Sequence, residues 1–325
     1  MQEILSTLPQ VLLDGLTLGA IYAVVALGYT MVYGILELIN FAHGEIFMAG
    51  AFIGTALLFG FVDIGLALNW VTLVLVLIFA SLLTGVIGVG IERVAYRPLR
   101  TAPKLIPLIS AVGISFILQD VVRFVAEYKT GNYIVTGQTI FENKIAIPAF
   151  SVGGYEVHAS AIKSNTLIVI GIAVLIMIVL DIFVNRTKWG IAMRAVAQDR
   201  ATAALMGINV NKVISLTFFI GSAIGGATGV LYAQQYATIN PFIGFILGLK
   251  AFTAAVLGGI GNIRGAMFGG LLIGLLEVFA AANLGILTGG ALGAEYKDVF
   301  AFIILILVLI FKPAGLFGQA VKEKV

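Results

Sequence analysis

Long apolar segments, each able to form a helix in a lipid bilayer, dominate the sequence. About 20 apolar residues span the hydrocarbon core of a membrane. Nine segments with few charges approach or exceed that length, at 12–36, 44–61, 68–91, 105–125, 166–183, 213–232, 245–260, 266–282 and 299–311. Barrel strands would instead alternate in polarity over about ten residues. The sequence therefore predicts an all-α polytopic membrane protein with eight to ten transmembrane or half-crossing helices, the seventh being short and rich in glycine.

Composition agrees with a membrane location. The chain has 325 residues, of which 60% are apolar and 11% charged, whereas roughly 25% are charged in soluble domains. It contains no cysteine, so disulfide and thiol chemistry are excluded. The net charge of +3 is too small to indicate binding to nucleic acid. Residues 1–10 carry no positive region, so we expect the first apolar segment to be a retained span and not a cleaved signal peptide.

Basic residues concentrate in three short segments, which sets the expected orientation. Cytoplasmic loops carry an excess of Lys and Arg, and nine alternating spans with an outer N-terminus place all three segments and the C-terminus in the cytoplasm. The segments contain Arg93, Arg97, Arg100 and Lys104, then Arg186, Lys188, Arg194, Arg200 and Lys212, and finally Lys312, Lys322 and Lys324. The long loop 127–165 then lies outside. Its Val, Ile, Tyr and Phe residues, interrupted by Gly, Asn and Pro148, predict a small β-hairpin or an irregular cap.

The polar segment 185–212 lies between two apolar blocks and carries most of the central basic residues. Within it, residues 197–206 are predicted to form a short helix, because three alanines and Leu205 recur on one face. Gly207 is expected to end this helix, since the position after a helix favours a left-handed backbone. A short amphipathic helix on the basic side of a membrane can dock into a groove of another protein.

A dense polar cluster, Asn40-Phe-Ala-His-Gly-Glu45, lies near the end of the first span. One interpretation is a tight interfacial turn, with Asn40 and Gly44 as turn residues. The other is a polar break that faces a permeation pathway, with His43 and Glu45 as gate or hinge residues. Polar groups at membrane depth are costly and usually functional, so both interpretations stay open.

Charged residues inside two other spans require partners. Glu277 is an isolated acid in the eighth segment and must be paired or protonated. We expect it to face the interior of the bundle near Lys250 or Arg264, and we include it among the pathway or gate candidates. In the fourth span, Asp120 and Arg123 are three residues apart, which predicts a local ion pair.

No motif in the sequence predicts catalysis or a metal site. The phosphate-binding pattern G-x-x-x-x-G-K-[ST] is absent, so the chain is not expected to hydrolyse ATP alone. The two histidines, His43 and His158, with scattered carboxylates do not predict a metal centre. We therefore expect a transport subunit and not an enzyme, with no catalytic residue, cofactor or metal of its own.

Three motifs resemble those of the membrane permeases of branched-chain amino acid ABC importers, the LivH/LivM family. They are Asn40-Phe-Ala-His-Gly44, the stretch from Gly190-Ile-Ala-Met-Arg194 to Ala203-Ala-Leu-Met-Gly-Ile-Asn209, and Gly258-Gly-Ile-Gly-Asn262 through Gly265. The early sequence Leu-Gly-Tyr-Thr-Met-Val-Tyr33 is more similar to the LivH type. The second motif resembles the cytoplasmic EAA loop of ABC permeases, but Arg200-Ala-Thr-Ala-Ala stands where such a loop carries a glutamate.

The resemblance implies one transmembrane permease domain over 1–325 that works with other subunits in lipid. Implied partners are two cytoplasmic ATP-binding subunits, which hold ATP and Mg, a second homologous or identical permease, and an external substrate-binding protein. The loop 185–212 would couple to the ATPase by seating its helix in a groove. The residues implied for that contact are Arg194, Gln198, Asp199, Ala203 and Gly207.

The implied function is ATP-driven import of branched-chain or related amino acids across the cytoplasmic membrane of a prokaryote. Urea, other amides or other amino acids are alternative substrates, because the family includes such importers. A stand-alone secondary carrier is a further alternative. It would require several acids and cations at mid-membrane, and among these only Glu277 clearly qualifies in the sequence.

Overall fold

The structure is a computed structural model that describes residues 2–103, 105–152 and 155–318. Three of the basic residues named above, Lys104, Lys322 and Lys324, lie outside the described residues. The helices are α1 (Gln2–Leu36), α2 (Ala42–Asp63), α3 (Trp70–Ile91), α4 (Leu105–Thr130), α5 (Ser164–Arg186), α6 (Lys188–Gln198), α7 (Arg200–Leu205), α8 (Val210–Tyr236), α9 (Ile243–Gly258), α10 (Ile263–Leu287) and α11 (Lys297–Phe311). The strands are β1 (Val135–Thr136), β2 (Lys144–Ile147), β3 (Phe150–Val152), β4 (Tyr155–Val157), β5 (Ser160–Lys163) and β6 (Thr238–Ile239).

Each predicted apolar segment corresponds to a helix, so the prediction of an all-α membrane protein is confirmed. Within the described residues, seven helices are long and apolar enough to cross a membrane, namely α1 to α5, α8 and α10. The short seventh segment is α9, an unbroken helix of 16 residues. At 1.5 Å per residue it is about 24 Å long, which is shorter than the ~30 Å hydrocarbon core of a bilayer.

The centre of the bundle is α1, whose residues 20–27 are all buried. Glycines let α1 approach α10 closely. A Cβ atom at Gly274 would collide with the backbone of Gly19, and one at Gly19 would lie 2.8 Å from the carbonyl oxygen of Leu271. Small residues allow helix backbones in lipid to come together, so these positions set the spacing between α1 and α10.

The basic segments meet at one end of the bundle, which we call the basic end. After α3 the chain continues through a π-helical turn, Glu92–Tyr96, and Arg97 then donates a hydrogen bond to the Ser215 hydroxyl of α8 at 2.9 Å. The residues after α11 reach the same end, where the N–H of Leu316 donates to the carbonyl of Leu257 at 2.8 Å. The described parts of the three basic segments therefore share one side, as the alternating topology predicts.

A small β cap covers the opposite end. Strands β2 and β5 pair antiparallel, as do β3 and β4, and β1 pairs with β6 in the loop after α8. The backbone N–H of His158 donates to the carbonyl of Ser6 in α1 at 3.1 Å. The prediction of a small hairpin in the loop 127–165 is confirmed, and the loop lies over the N-terminal part of α1.

The prediction of one helix over 197–206 is wrong, because Asp199 divides the segment into α6 and α7. The backbone of Asp199 is extended, with φ −159° and ψ 111°, and this ends α6. Its carboxylate then accepts hydrogen bonds from the amides of Ala201 and Thr202 at 2.8 and 3.1 Å, as an N-cap of α7 does. The stop at Gly207 is confirmed. Its φ is +81°, and the N–H groups of Gly207 and Ile208 donate to carbonyls of the last turn of α7.

Candidate functional site

Helix α7 projects at the basic end with an exposed apolar tip. Leu205 and Met206 are 87% and 79% exposed, although both side chains are large and apolar. Leu205 belongs to the predicted helical face, whereas Met206 was not singled out by the sequence. The sequence feature that could have indicated Met206 is its position as an apolar residue directly before Gly207, the glycine that ends the helix.

The five residues expected to contact an ATPase divide into four exposed positions and one buried position. Arg194, Gln198, Asp199 and Gly207 are exposed at the basic end. Arg194 donates to the carbonyl of Val184 at the end of α5, which fixes α6 against that helix. The side chain of Ala203 is only 4% exposed, so it packs beneath α7 and does not face outward.

The pKa of the Asp199 carboxyl is lowered, first because the Thr202 hydroxyl donates to it and then because two backbone amides do. The hydroxyl lies 2.5 Å from Oδ2. The ionised form is therefore the one that caps α7. This assigns Asp199 a local role in shaping the segment, in addition to its exposed position.

Arg200 links α7 to the end of α1, a connection that sequence reasoning missed. Its guanidinium donates to the carbonyl oxygens of Ile35 and Leu36 at 2.9 and 3.1 Å. The last carbonyls of a helix have no partner within the helix, and a cation there also interacts favourably with the helix dipole. The only sequence signal was the basic residue itself, directly after the cap residue Asp199.

The cluster 40–45 contains the end of the turn after α1 and the first residues of α2, which begins at Ala42, and it is enclosed by other helices. Gly44 is helical, so the expectation that it is a turn residue is wrong. Asn40 and His43 are 2% and 1% exposed. The Asn40 Oδ1 atom accepts a hydrogen bond from the Tyr96 hydroxyl at 2.8 Å. The His43 ring packs edge-on against Tyr29 at 4.8 Å between centroids, and a Cβ atom on the neighbouring Gly28 would collide with it. Asn40 therefore lies in the turn and His43 in the first turn of α2, and both are buried among neighbouring helices. Their role at a gate or hinge stays a prediction.

Glu45 is the charged residue of the cluster, and together with Phe41 it lines a cavity of about 390 Å³ between α2, α4 and α9. Its Oε1 atom accepts a hydrogen bond from Ser115 of α4 at 3.3 Å. The remaining walls are mostly aromatic and aliphatic, from Phe41, Val112, Phe116, Gln119, Phe242, Phe245 and Ile246. A carboxylate set in an apolar cavity can receive a cationic group whose neighbour is apolar.

Glu277 lies inside the bundle and is paired, as its isolation in the sequence required. Its carboxylate accepts from Tyr22 of α1 at 2.8 Å and from Lys250 of α9 at 2.8 Å. Lys297 lies 3.4 Å from it, and Lys250 also lies 2.8 Å from Asp298 at the start of α11. Tyr22, two acids and two lysines thus connect α1, α9, α10 and α11. We call this set the ion network. The alternative partner, Arg264, instead pairs with Asp181 at 3.1 Å.

The predicted pair between Asp120 and Arg123 is wrong. Arg123 donates instead to Glu127, one turn further along α4, at 3.2 Å. Positions i and i+4 are direct neighbours on a helix surface, and this pair lies closer to the end of α4. Asp120 is exposed on the outer face of the helix.

An acid whose role sequence reasoning missed, Glu92, holds the end of α3. Glu92 is fully buried and accepts hydrogen bonds from Arg97, Arg100 and the Ser215 hydroxyl, the last at 2.7 Å. These contacts tie the turn after α3 to α8. Within the described residues, no group of three or more His, Asp or Glu side chains is arranged to hold a metal ion.

Comparison with known proteins gives consistent matches. The family model described as "Branched-chain amino acid transport system / permease component" matches residues 11–309. The chain is 42% identical over 316 residues to the high-affinity branched-chain amino acid transport system permease protein LivH of Salmonella typhimurium, covering 97% of both chains. It is 43% identical over 332 residues to the corresponding permease protein BraD of Pseudomonas aeruginosa, covering 100% of both.

A solved structure, PsaBC from Streptococcus pneumoniae in complex with Fab, is similar in fold. The TM-score is 0.50, with 13% identity and coverage of 96% of both chains. At this identity the likeness concerns the arrangement of helices alone. It adds a structural parallel to the sequence matches.

Proposed function

Because this chain belongs to the family of permease components of branched-chain amino acid transport systems, we propose that it is a membrane-spanning subunit of an ABC importer for branched-chain amino acids. Two ATP-binding subunits drive it by hydrolysing ATP, and ATP and Mg bind to them alone. A second permease, homologous or identical, completes the membrane unit, and an external binding protein delivers the substrate. The basic end faces the cytoplasm of a prokaryote, and the β cap faces outward.

The observation that carries this proposal is the construction of α7. Its tip exposes Leu205 and Met206, while its first residue, Arg200, holds the last carbonyls of α1. A partner groove that covers the tip would bury two large apolar side chains, and burial of that kind drives protein association. Through Arg200, a displacement of α7 acts on α1. The segment 185–212 therefore has both a surface for a motor and a connection to the membrane core.

The same architecture suggests where the substrate passes. The cavity at Glu45 combines one carboxylate with aromatic and aliphatic walls. An amino acid with a branched apolar side chain presents an ammonium group for the carboxylate and an apolar group for the walls. Asn40 and His43 pack against neighbouring helices and hold the start of α2, which carries Glu45. Glu277 stabilises the bundle through the ion network.

The second permease covers the face of α4 beside this cavity. Asp120 is exposed there, within a helix long enough to cross a membrane. A charged side chain in contact with lipid is costly, and such residues usually face protein or water. Placing the partner on this face removes the carboxylate from lipid and closes the open side of the Glu45 cavity.

The proposal is tested by uptake of labelled leucine, isoleucine, valine and urea into proteoliposomes that contain the chain with its partner subunits. Replacing Leu205 and Met206 by glutamate should abolish ATP-dependent uptake. Ile64→Glu, at an exposed apolar residue after α2, is the control and should transport normally. Normal uptake by the double variant would contradict the coupling role of α7. Uptake by the chain alone under an ion gradient would contradict the importer proposal itself.

A further inference from the structure

A large cavity at the basic end is not used by the proposed coupling or transport steps. It has a volume of about 690 Å³ and lies between α3, α5, α6 and α8. Three cationic side chains, Arg93, Arg97 and Lys212, lie along it. Its remaining wall includes Phe183, Phe219 and Ile220.

The cavity combines two environments along the direction of the helices. Phe219 and Ile220 lie within α8, and Phe183 lies near the end of α5, both helices long enough to cross a membrane. The cations lie where these helices end, since Arg93 follows α3 and Lys212 is in the first turn of α8. One part of the cavity therefore borders the hydrocarbon region, and the other borders the charged surface of the membrane.

The charge of the cavity is positive. No acidic side chain is among its lining residues within the described part of the chain. Glu92, which contacts the lining residues Arg97 and Ser215, is fully buried and already shared by Arg97 and Arg100. Arg93 and Lys212 are exposed and line the cavity.

We propose that this cavity binds an anionic phospholipid. The phosphate of the head group lies between Arg93 and Lys212, and an acyl chain runs along Phe219 and Ile220. Basic pockets between transmembrane helices on the cytoplasmic side are suited to such head groups. Trp189, half exposed at the same cavity, is of a residue type that favours the boundary between lipid and water. A soluble anion would use the cations but leave the apolar wall in contact with water.

Trp189 provides a direct measurement. The chain has two tryptophans, and Trp70→Phe leaves Trp189 as the only one. The full chain in this background is reconstituted in phosphatidylcholine vesicles that contain a minor fraction of phosphatidylglycerol. Bromine atoms on the acyl chains of one lipid or the other quench tryptophan at short range. We expect brominated phosphatidylglycerol to quench Trp189 more strongly than an equal fraction of brominated phosphatidylcholine.

Charge variants separate this site from general attraction to an anionic surface. Arg93→Gln with Lys212→Gln should reduce the preference for phosphatidylglycerol on the order of 10-fold. The charge-preserving pair Arg93→Lys with Lys212→Arg should keep it. Lys188→Gln with Lys312→Gln removes two exposed cations of the same end that do not line the cavity, and it should keep the preference as well.

Three results would overturn the proposal. Equal quenching by the two brominated lipids would mean that no anionic lipid is selected. Loss of the preference in the Lys188 and Lys312 variant would mean that only the overall charge of the surface matters. Abolition of the preference by added inorganic phosphate, in both this control and the parent, would mean that the cations serve a soluble anion.

Discussion

At the scale of single residues, Arg200 is the side chain that joins the exposed segment to the membrane core. Arg200→Ala removes two charged hydrogen bonds to the end of α1, each worth roughly 1.5–3 kcal/mol when a charged group takes part. We expect the variant to assemble with the proposed ATP-binding subunits, which still hydrolyse ATP, while uptake per ATP falls at least ~10-fold, because such an energy corresponds to that factor or more. Arg186→Ala, an exposed cation of the same segment, serves as control. Unchanged coupling in Arg200→Ala would show that α7 does not act through α1.

Asp199 is a second residue whose role can be isolated. Its pKa is lowered from 3.8 by the Thr202 hydroxyl and two amides. The charged cap therefore stabilises α7 fully at pH values above the ordinary pKa of 3.8. This stabilisation is lost as the pH falls through the lower pKa of the folded state. At neutral pH the cap is complete. Asp199→Ala should speed hydrogen exchange at the amides of Ala201 and Thr202, whereas Asp199→Asn, which can still accept, should change it little. Equal exchange in both variants would remove the capping assignment.

At the scale of elements, the ion network holds α1, α9, α10 and α11 together. Lys250→Met leaves Glu277 and Asp298 without their shared cation. Removing one partner of a buried pair costs roughly 3–5 kcal/mol. We expect a clear fall in the unfolding temperature of the purified chain in detergent. Lys297→Met, at a side chain that is 40% exposed and lies further from Glu277, should cost much less. Equal losses in the two variants would mean that burial is not what makes the pair important.

The glycine contact between α1 and α10 gives a second test at this scale. Gly274→Ala places a methyl group against the backbone of Gly19, which has no side chain to move aside. We expect a lower unfolding temperature for this variant. Gly113→Ala is the matched control, because nothing lies within 4 Å of its added Cβ atom and alanine is favoured over glycine in a helix by roughly 0.5–1 kcal/mol. A stable Gly274→Ala protein would mean that the two helices can separate without loss.

The long elements were predictable from sequence, whereas most of the contacts between them were not. Length and hydropathy are local properties, and they located the apolar helices. The β-forming and turn-forming residue types, and the preference for glycine after a helix, are local as well, and they located the β cap and the end of α7. The break at Asp199 was missed because a cap residue and an interior helical residue look alike when the apolar spacing continues across them. Lys250, one of the two partners expected for Glu277, is confirmed. Another observed partner, Tyr22, is 255 residues away along the chain, and only helix packing brings it close.

At the scale of the whole molecule, the two ends can be assigned to the two sides of the membrane by labelling. The chain contains no cysteine, so a single one can be introduced at Gln198 in the basic end or at Ala159 in the β cap. Both positions are exposed. In intact cells, a membrane-impermeant thiol reagent should label Ala159→Cys and leave Gln198→Cys unlabelled until the membrane is opened. The reverse pattern would invert the proposed topology.

Because α1 is long, it connects the β cap mechanically to the basic end of the bundle. Its 35 residues extend about 52 Å, from the Ser6 carbonyl under the β cap to the carbonyls held by Arg200. Its interior proline, Pro9, lies near the capped end, and 27 residues follow it without interruption. A tilt imposed at the basic end must therefore displace the end under the β cap as well. In the proposed importer, nucleotide binding by the ATP-binding subunits at the basic end would therefore change the surface that the external binding protein contacts. Binding of that protein would in turn change the surface that the ATP-binding subunits contact.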